Sequence, residues 1–314
     1  IHHERSGRPD KSKFKERTTD IIGWMYAQIP EVEKNHFGYE KDTPADQKRP
    51  FIWCEYSHAM SNSNGNFADN WKWIRSHPQA QGGFIWDWMD QGILMKAPDG
   101  TSFFGYGGDF EPKGTYNDGN FCANGIIGAD RAPHPGALEV KKAYQSILFS
   151  QIDQQTFEIY NENFFISTVG LVFSAKLLEN GREVESQTVE IAPIDPQKRQ
   201  RISLTWTYPM TETDEYHVNL YATLAKEAPL LPAGYEMASE QFQLQTRQQV
   251  QVAGQALDKL KIKENKKSGT FTVTAGVMTY TFGKQGYGLS SIQMKGAEVL
   301  KEPLEMSFWR APVD

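Results

Sequence analysis

Apolar positions change rhythm near residue 145. Before it, short and nearly continuous apolar runs end in polar or aromatic clusters: Thr19-Asp-Ile-Ile-Gly-Trp-Met-Tyr26, Pro50-Phe-Ile-Trp-Cys-Glu-Tyr56 and Gly83-Phe-Ile-Trp-Asp-Trp88. Runs of this kind suit strands buried on both faces, as in a parallel sheet. Between the second and third, Phe67, Trp71 and Ile74 recur close to one helical face within residues 66–77, and Pro78 stops the pattern. Strand, helix, strand in this order predicts a βαβ unit of an α/β barrel or open sheet.

Beyond Tyr144 the helical periodicity fades and alternation takes over, as in Gln155-Thr-Phe-Glu-Ile-Tyr160, Leu171-Val-Phe-Ser-Ala-Lys-Leu177 and Glu215-Tyr-His-Val-Asn-Leu-Tyr221. Glu179-Asn-Gly-Arg182 reads as a hairpin turn. Short strands at this spacing predict a β-sandwich. Residues 250–264 are polar and Lys-rich, which predicts a linker, and residues 270–274 and 278–282 begin another antiparallel unit.

Composition narrows the field. A length of 314 residues fits two domains at roughly 150 residues each, or three if one is incomplete. A net charge of -6 without a basic stripe argues against nucleic-acid partners. No apolar run approaches the length that spans a bilayer. The opening Ile1-His-His-Glu4 lacks the pattern of a signal peptide, and the chain looks cut at both ends, which leaves cytoplasm and periplasm equally open. Cys54 and Cys122 are too few for a disulfide scaffold. The 8 Trp fit either a large core or sugar binding, since indoles stack on pyranose faces while hydroxyls meet polar neighbours.

In a parallel α/β barrel the chemistry sits at the carboxyl ends of strands. Glu55 closes the apolar run Phe51-Ile-Trp-Cys54, where a carboxylate is costly to bury unless paired. His58 follows three residues later, and Trp86-Asp-Trp-Met-Asp-Gln91 closes the next run. A carboxylate, a histidine and indoles on one rim suit glycoside hydrolysis. Each has a plainer reading: a salt-bridged strand-end Glu55, a structural His58, and ordinary strand-end charges at Asp87 and Asp90.

Five stretches then match in order: Cys54-Glu-Tyr-Ser-His-Ala-Met-Ser-Asn-Ser63, Gln81-Gly-Gly-Phe-Ile-Trp-Asp-Trp-Met-Asp-Gln91, Tyr106-Gly-Gly-Asp-Phe110, Asn117-Asp-Gly-Asn-Phe-Cys-Ala-Asn-Gly125 and Asp130-Arg-Ala-Pro-His-Pro135. Together they resemble the large bacterial β-galactosidases of glycoside hydrolase family 2. The resemblance extends more weakly to Phe308-Trp-Arg-Ala-Pro-Val-Asp314, which is similar to the opening of the family's last β-domain. It implies the second half of a TIM (β/α)8 barrel, strands five to eight, over residues 1–145. An immunoglobulin-like β-sandwich would follow over 146–248, then a linker and the start of a large antiparallel β-sandwich domain over 249–314.

Carried over by position, the resemblance implies that Glu55 is the nucleophile and that the Tyr26 hydroxyl bonds its carboxylate. His58 would meet sugar hydroxyls, and Trp86 would be the platform under galactose. The Phe121 carbonyl and Asn124 would hold a sodium ion that meets the 6-hydroxyl, a hard cation suited to oxygen ligands. The general acid and the ligands of an active-site Mg2+ would lie upstream of residue 1. Glu4 looks like the close of the fifth strand, and His2 and His3 point to opposite faces, so they do not read as a metal pair. Ser61 stands where the family usually has Gly, and Gly119 where a familiar member carries a charge.

The implied activity is retaining hydrolysis of terminal β-D-galactose from β-galactosides such as lactose, by a parent that forms dimers or tetramers. The preferred linkage stays open. Alone, this stretch should show no turnover and fold poorly, because half a barrel exposes two strand edges. Two alternatives stand beside this reading. One is a β-glucuronidase or β-mannosidase of the same family, which would not carry the stretches at 121–125 and 131–135 together; the other is a non-catalytic carbohydrate-binding module.

Overall fold

The structure, a computed structural model, describes residues 19–38, 41–247, 259–283, 288–304, 307–309 and 313. The first barrel strand expected at residues 1–4, with His2, His3 and Glu4, lies outside the described residues, as do residues 250–258 of the expected linker and Arg310 to Pro312. The chain divides into two compact units, one within Ile1–Arg247 together with Val313 and the other within Gln248–Ala311.

The first unit opens with β1 (Ile22–Met25), α1 (Ile29–Val32), β2 (Phe51–Tyr56), α2 (Phe67–Ser76) and β3 (Ala80–Ile85). The three strands form a parallel sheet in the order β1-β2-β3, with α2 as the crossover between β2 and β3. Phe51, Trp53 and Tyr56 of β2 are buried in one cluster with Phe67, Trp73 and Ile74 of α2. The apolar face of α2 is therefore wider than Phe67, Trp71 and Ile74 alone. Trp73 takes the deep position, with its indole N–H donating to Glu33 Oε1 at 2.9 Å, while Trp71 packs at the margin against the Tyr144 ring.

The third strand starts earlier than its apolar run suggests, and Trp86 to Trp88 have left the ladder. Close approach is the reason. A Cβ on Gly83 would stand 2.7 Å from the Tyr56 ring, so a glycine that reads as a strand breaker is what lets β3 lie beside β2.

A small hairpin of β4 (Ile93–Lys96) and β5 (Ser102–Gly105) follows, then α3 (Pro135–Tyr144). α3 packs beside α2 and secures it at two points. Glu139 Oε1 accepts the Ala68 N–H at 3.1 Å, satisfying a free donor in the first turn of α2. The Tyr144 hydroxyl lies 2.9 Å from that of Tyr56 on β2.

The rest of this unit is antiparallel. β6 (Ile147–Gln151), β7 (Thr156–Asn161) and β10 (Arg199–Ser203) form one sheet. β8 (Leu171–Glu179), β9 (Arg182–Val189), β11 (Tyr216–Leu224) and β12 (Glu236–Gln245) form the other. Phe157 and Ile159 from the first sheet share a core with Phe173, Val218 and Leu220 from the second. Along β11 the buried residues alternate, as its sequence predicts. The β8–β9 turn places Asn180 at φ 49° and Gly181 at φ 81°, the left-handed pair that an Asn-Gly hairpin uses.

Arg75 of α2 reaches over to the end of β7. Its guanidinium donates to both carboxylate oxygens of Glu162, at 2.7–3.0 Å, and to the Gln145 carbonyl at 3.0 Å.

The second unit is a five-stranded antiparallel sheet of β13 (Lys261–Asn265), β14 (Thr270–Ala275), β15 (Met278–Gly283), β16 (Leu289–Met294) and β17 (Ala297–Glu298). Residues 261–264 of the expected linker are thus an edge strand. Its charged side chains resemble a loop in sequence, yet Lys on an edge is how sheets discourage further pairing. Among the described residues no helix is long and apolar enough to cross a membrane.

Candidate active site

Glu55 sits one residue before the end of β2, at a point where the pairing register shifts on both sides, towards β1 and towards β3. A bulge of this kind re-aims a side chain at a strand end. The backbone then turns sharply through Ser57, at φ 50°. Asn64 Nδ2 holds that turn by donating to the Ser57 carbonyl at 2.9 Å and its Oγ at 2.6 Å, and Ser63 Oγ donates to the His58 carbonyl at 3.0 Å.

Tyr26, the residue after β1, donates its backbone N–H to the Glu55 carbonyl at 2.9 Å. Its ring meets His58 edge-on, with centroids 6.2 Å apart, and on the other side His58 faces Phe121 at 6.3 Å, tilted by 28°. Tyr26, His58 and Phe121 thus form one aromatic row beside the end of β2. Trp86 joins from the end of β3: its N–H donates to the Tyr56 carbonyl at 3.2 Å and its carbonyl accepts from Ala59 at 2.8 Å. Trp86 as a residue is 38% exposed. The Trp86–Asp87 peptide is cis.

The turn that carries Phe121 and Asn124 is laced to the Trp86 loop. Asp87 N–H donates to the Asn124 carbonyl at 2.8 Å, Ile126 N–H to the Asp87 carbonyl at 3.0 Å and Gln91 N–H to the Cys122 carbonyl at 3.0 Å. Asn124 is buried, and its side-chain oxygen has no hydrogen-bond partner. A buried amide oxygen left unpaired is costly, and it is the donor type a hard cation takes. The Asn124 oxygen is thus of the kind that a sodium site would use. Among the described residues no group of three or more His, Cys, Asp or Glu could hold a metal.

Every candidate site residue is described: Glu55, Tyr26, His58, Trp86, Phe121 and Asn124 all stand at strand ends or on the two turns laced to them. Two further residues, Asp90 and His134, carry no site role in the sequence reading yet meet at this turn. Asp90 Oδ1 accepts the Gly125 N–H at 2.8 Å, and His134 Nδ1 donates to the Gly125 carbonyl at 2.9 Å. Asp90 is therefore more than an ordinary strand-end charge.

The two departures from the family pattern also have a backbone reading. Ser61 is held at φ 52° and Gly119 at φ 57°. Gly119 is at ease in that region, whereas Ser61 occupies a conformation that a glycine would adopt without strain.

A parallel β/α sheet with a carboxylate, a histidine and exposed aromatic rings at its strand ends has the layout of a β/α-barrel rim, where such folds carry their chemistry. The profile of the glycosyl hydrolases family 2 TIM barrel domain matches residues 1–149, and that of β-galactosidase domain 4 matches residues 157–245. Residues 1–149 thus belong to the barrel domain of glycosyl hydrolases family 2. The chain is 37% identical over 304 residues to a β-galactosidase of Priestia megaterium and 36% identical over 305 residues to one of Vibrio cholerae, with 94% of this chain covered in each case. It spans 28% and 29% of those relatives' lengths. Among solved structures, a Bacteroides uniformis β-glucuronidase is 13% identical, covering 73% of this chain and 26% of its own, with a TM-score of 0.27.

Proposed function

We propose that residues 1–145 are the second half of the catalytic barrel of a retaining β-galactosidase, with Glu55 as its nucleophile. Residues 146–248 would be an immunoglobulin-like sandwich and 249–314 a linker with the start of the final β-sandwich domain. The observation that carries this reading is the placing of Glu55 at a bulged strand end beside Tyr26, His58 and the Trp86 loop, in a chain whose β-galactosidase relatives align over 94% of it.

In the parent protein a Glu55 carboxylate oxygen attacks the anomeric carbon of a terminal β-D-galactose, forming a glycosyl-enzyme ester as the bond to the leaving oxygen breaks. An acid upstream of this chain protonates that oxygen. Water then attacks the same carbon, the upstream carboxylate takes its proton, and galactose leaves with retained configuration; the two carboxyl groups of such a pair stand about 5 Å apart. His58 orients sugar hydroxyls and Trp86 supplies the flat face on which the ring stacks. Asn124 Oδ1 and the Phe121 carbonyl would hold sodium, which when bound fixes the 6-hydroxyl. The Mg2+ ligands belong upstream. Lactose is within the expected substrate range, and the parent would assemble as a dimer or tetramer.

The test is mass-spectrometric mapping of the parent protein after reaction with a 2-deoxy-2-fluoro-galactoside, which traps the glycosyl-enzyme. Label on the peptide containing Glu55 is the expected result. Galactoside turnover with label elsewhere would overturn the assignment.

A further inference from the structure

Gly125 is gripped at both polar ends of its backbone. Its N–H donates to Asp90 Oδ1 at 2.8 Å and its carbonyl accepts from His134 Nδ1 at 2.9 Å, while His134 Nε2 stands 3.5 Å from Asp90 Oδ2. The His134 backbone N–H closes the arrangement on the Ile126 carbonyl at 3.0 Å. Nothing larger than glycine fits, since a Cβ at 125 would lie 2.3 Å from Asp90 N.

The next residue back is Asn124, whose side-chain oxygen is buried without a partner. An unpaired amide oxygen gains free energy by turning towards any nearby donor or water. The backbone that carries this side chain is itself fixed, at Asn124 by the Asp87 N–H and at Gly125 by the Asp90 and His134 side chains, so the amide cannot reach a new partner by a shift of the turn.

We infer that Asp90 and His134 are positioning residues that hold the Asn124 amide oxygen open for its ligand, and so set preference for sugars bearing the 6-hydroxyl without touching the sugar themselves. This rests on the galactosidase reading above. It goes beyond that reading in giving the Asp90–His134 pair a part in specificity. Partners of this outer kind commonly change ligand affinity by about 10- to 100-fold when removed.

The experiment uses the parent protein with His134→Ala, Asp90→Ala and the isosteric Asp90→Asn. Two quantities are read. One is the ratio of kcat/KM for nitrophenyl β-D-galactoside to that for nitrophenyl α-L-arabinopyranoside, which lacks only the hydroxymethyl group; the other is sodium affinity by 23Na relaxation. The expected result is a fall of about tenfold in the ratio for His134→Ala and Asp90→Ala, with a matching loss of sodium affinity. The fall should be smaller for Asp90→Asn, which keeps an acceptor for the Gly125 N–H. A ratio and sodium affinity at the parent values, or equal losses on both substrates with sodium affinity unchanged, would overturn the inference. A parent that neither hydrolyses galactosides nor labels at Glu55 would instead sink the functional reading, and the 23Na measurement would still decide whether the pair positions Asn124.

Discussion

The hydroxyls of Tyr56 and Tyr144 lie 2.9 Å apart, joining the middle strand of the parallel sheet to the last turn of α3. Burial raises the Tyr56 pKa far above the ordinary phenol range, with the Tyr144 hydrogen bond adding to it, and burial raises Tyr144 as well. In the unfolded chain both phenols ionise near 10. A group whose folded pKa is raised contributes stability that is fully present below its unfolded pKa and is lost as pH climbs towards the folded one. The melting temperature of the parent protein should therefore fall as pH rises above about 10. The double variant Tyr56→Phe/Tyr144→Phe should show a shallower alkaline decline, and an unchanged decline would remove these phenols from the account.

Arg75 and Glu162 give a second expectation. Their two-point contact is partly buried, with side chains 26% and 27% exposed, and Arg75 also serves the Gln145 carbonyl. Removing the guanidinium leaves that carboxylate and carbonyl without their donor. Arg75→Met should destabilise by about 1 kcal/mol, less in high salt. Equal melting temperatures for parent and variant at low salt would count against it.

The two glycines of the candidate site's turn should respond differently to alanine. Gly119 needs only its left-handed backbone, for a Cβ added there would meet open space, so Gly119→Ala should cost about 1 kcal/mol. At Gly125 the added Cβ collides with the backbone of Met89 and Asp90. Gly125→Ala should cost 3 kcal/mol or more, on the order of severe overpacking. Thermal unfolding of the two variants side by side reads the ranking, and a reversed order would refute it.

Trp86 supplies a test of the sugar platform. Trp86→Ala in the parent protein should raise KM for galactosides by about tenfold through the lost stacking surface, while fluoro-sugar label still maps to Glu55. Unaltered KM would place the sugar elsewhere.

Much of the parallel half was legible from local pattern. Glu55 closes an apolar run, and the helical stretch at 66–77 ends at Pro78, because strand burial and helix periodicity are written within ten residues. The start of β3 was not, since Gly83 is needed only because Tyr56 lies over it. β13 escaped because an edge strand carries the charges of a loop. The Asp90–His134 pair was hidden for a different reason: its members become neighbours only when the 121–134 segment folds back onto the Trp86 loop. The Asn-Gly turn at 180–181 and the alternation of β11 were plain, being properties of adjacent residues.

The cap that Glu139 places on α2 has a consequence for synthesis. Ribosomes deliver the chain from the amino end, so β1, β2, α2 and β3 emerge well before the residue that completes the first turn of α2 and the Tyr144 that closes over β2. Throughout that interval the rings of Phe67 and Trp71 lack the Tyr144 ring that packs on them. Nascent chains halted before residue 135 should hold chaperones, and those that have released Tyr144 from the exit tunnel should let them go.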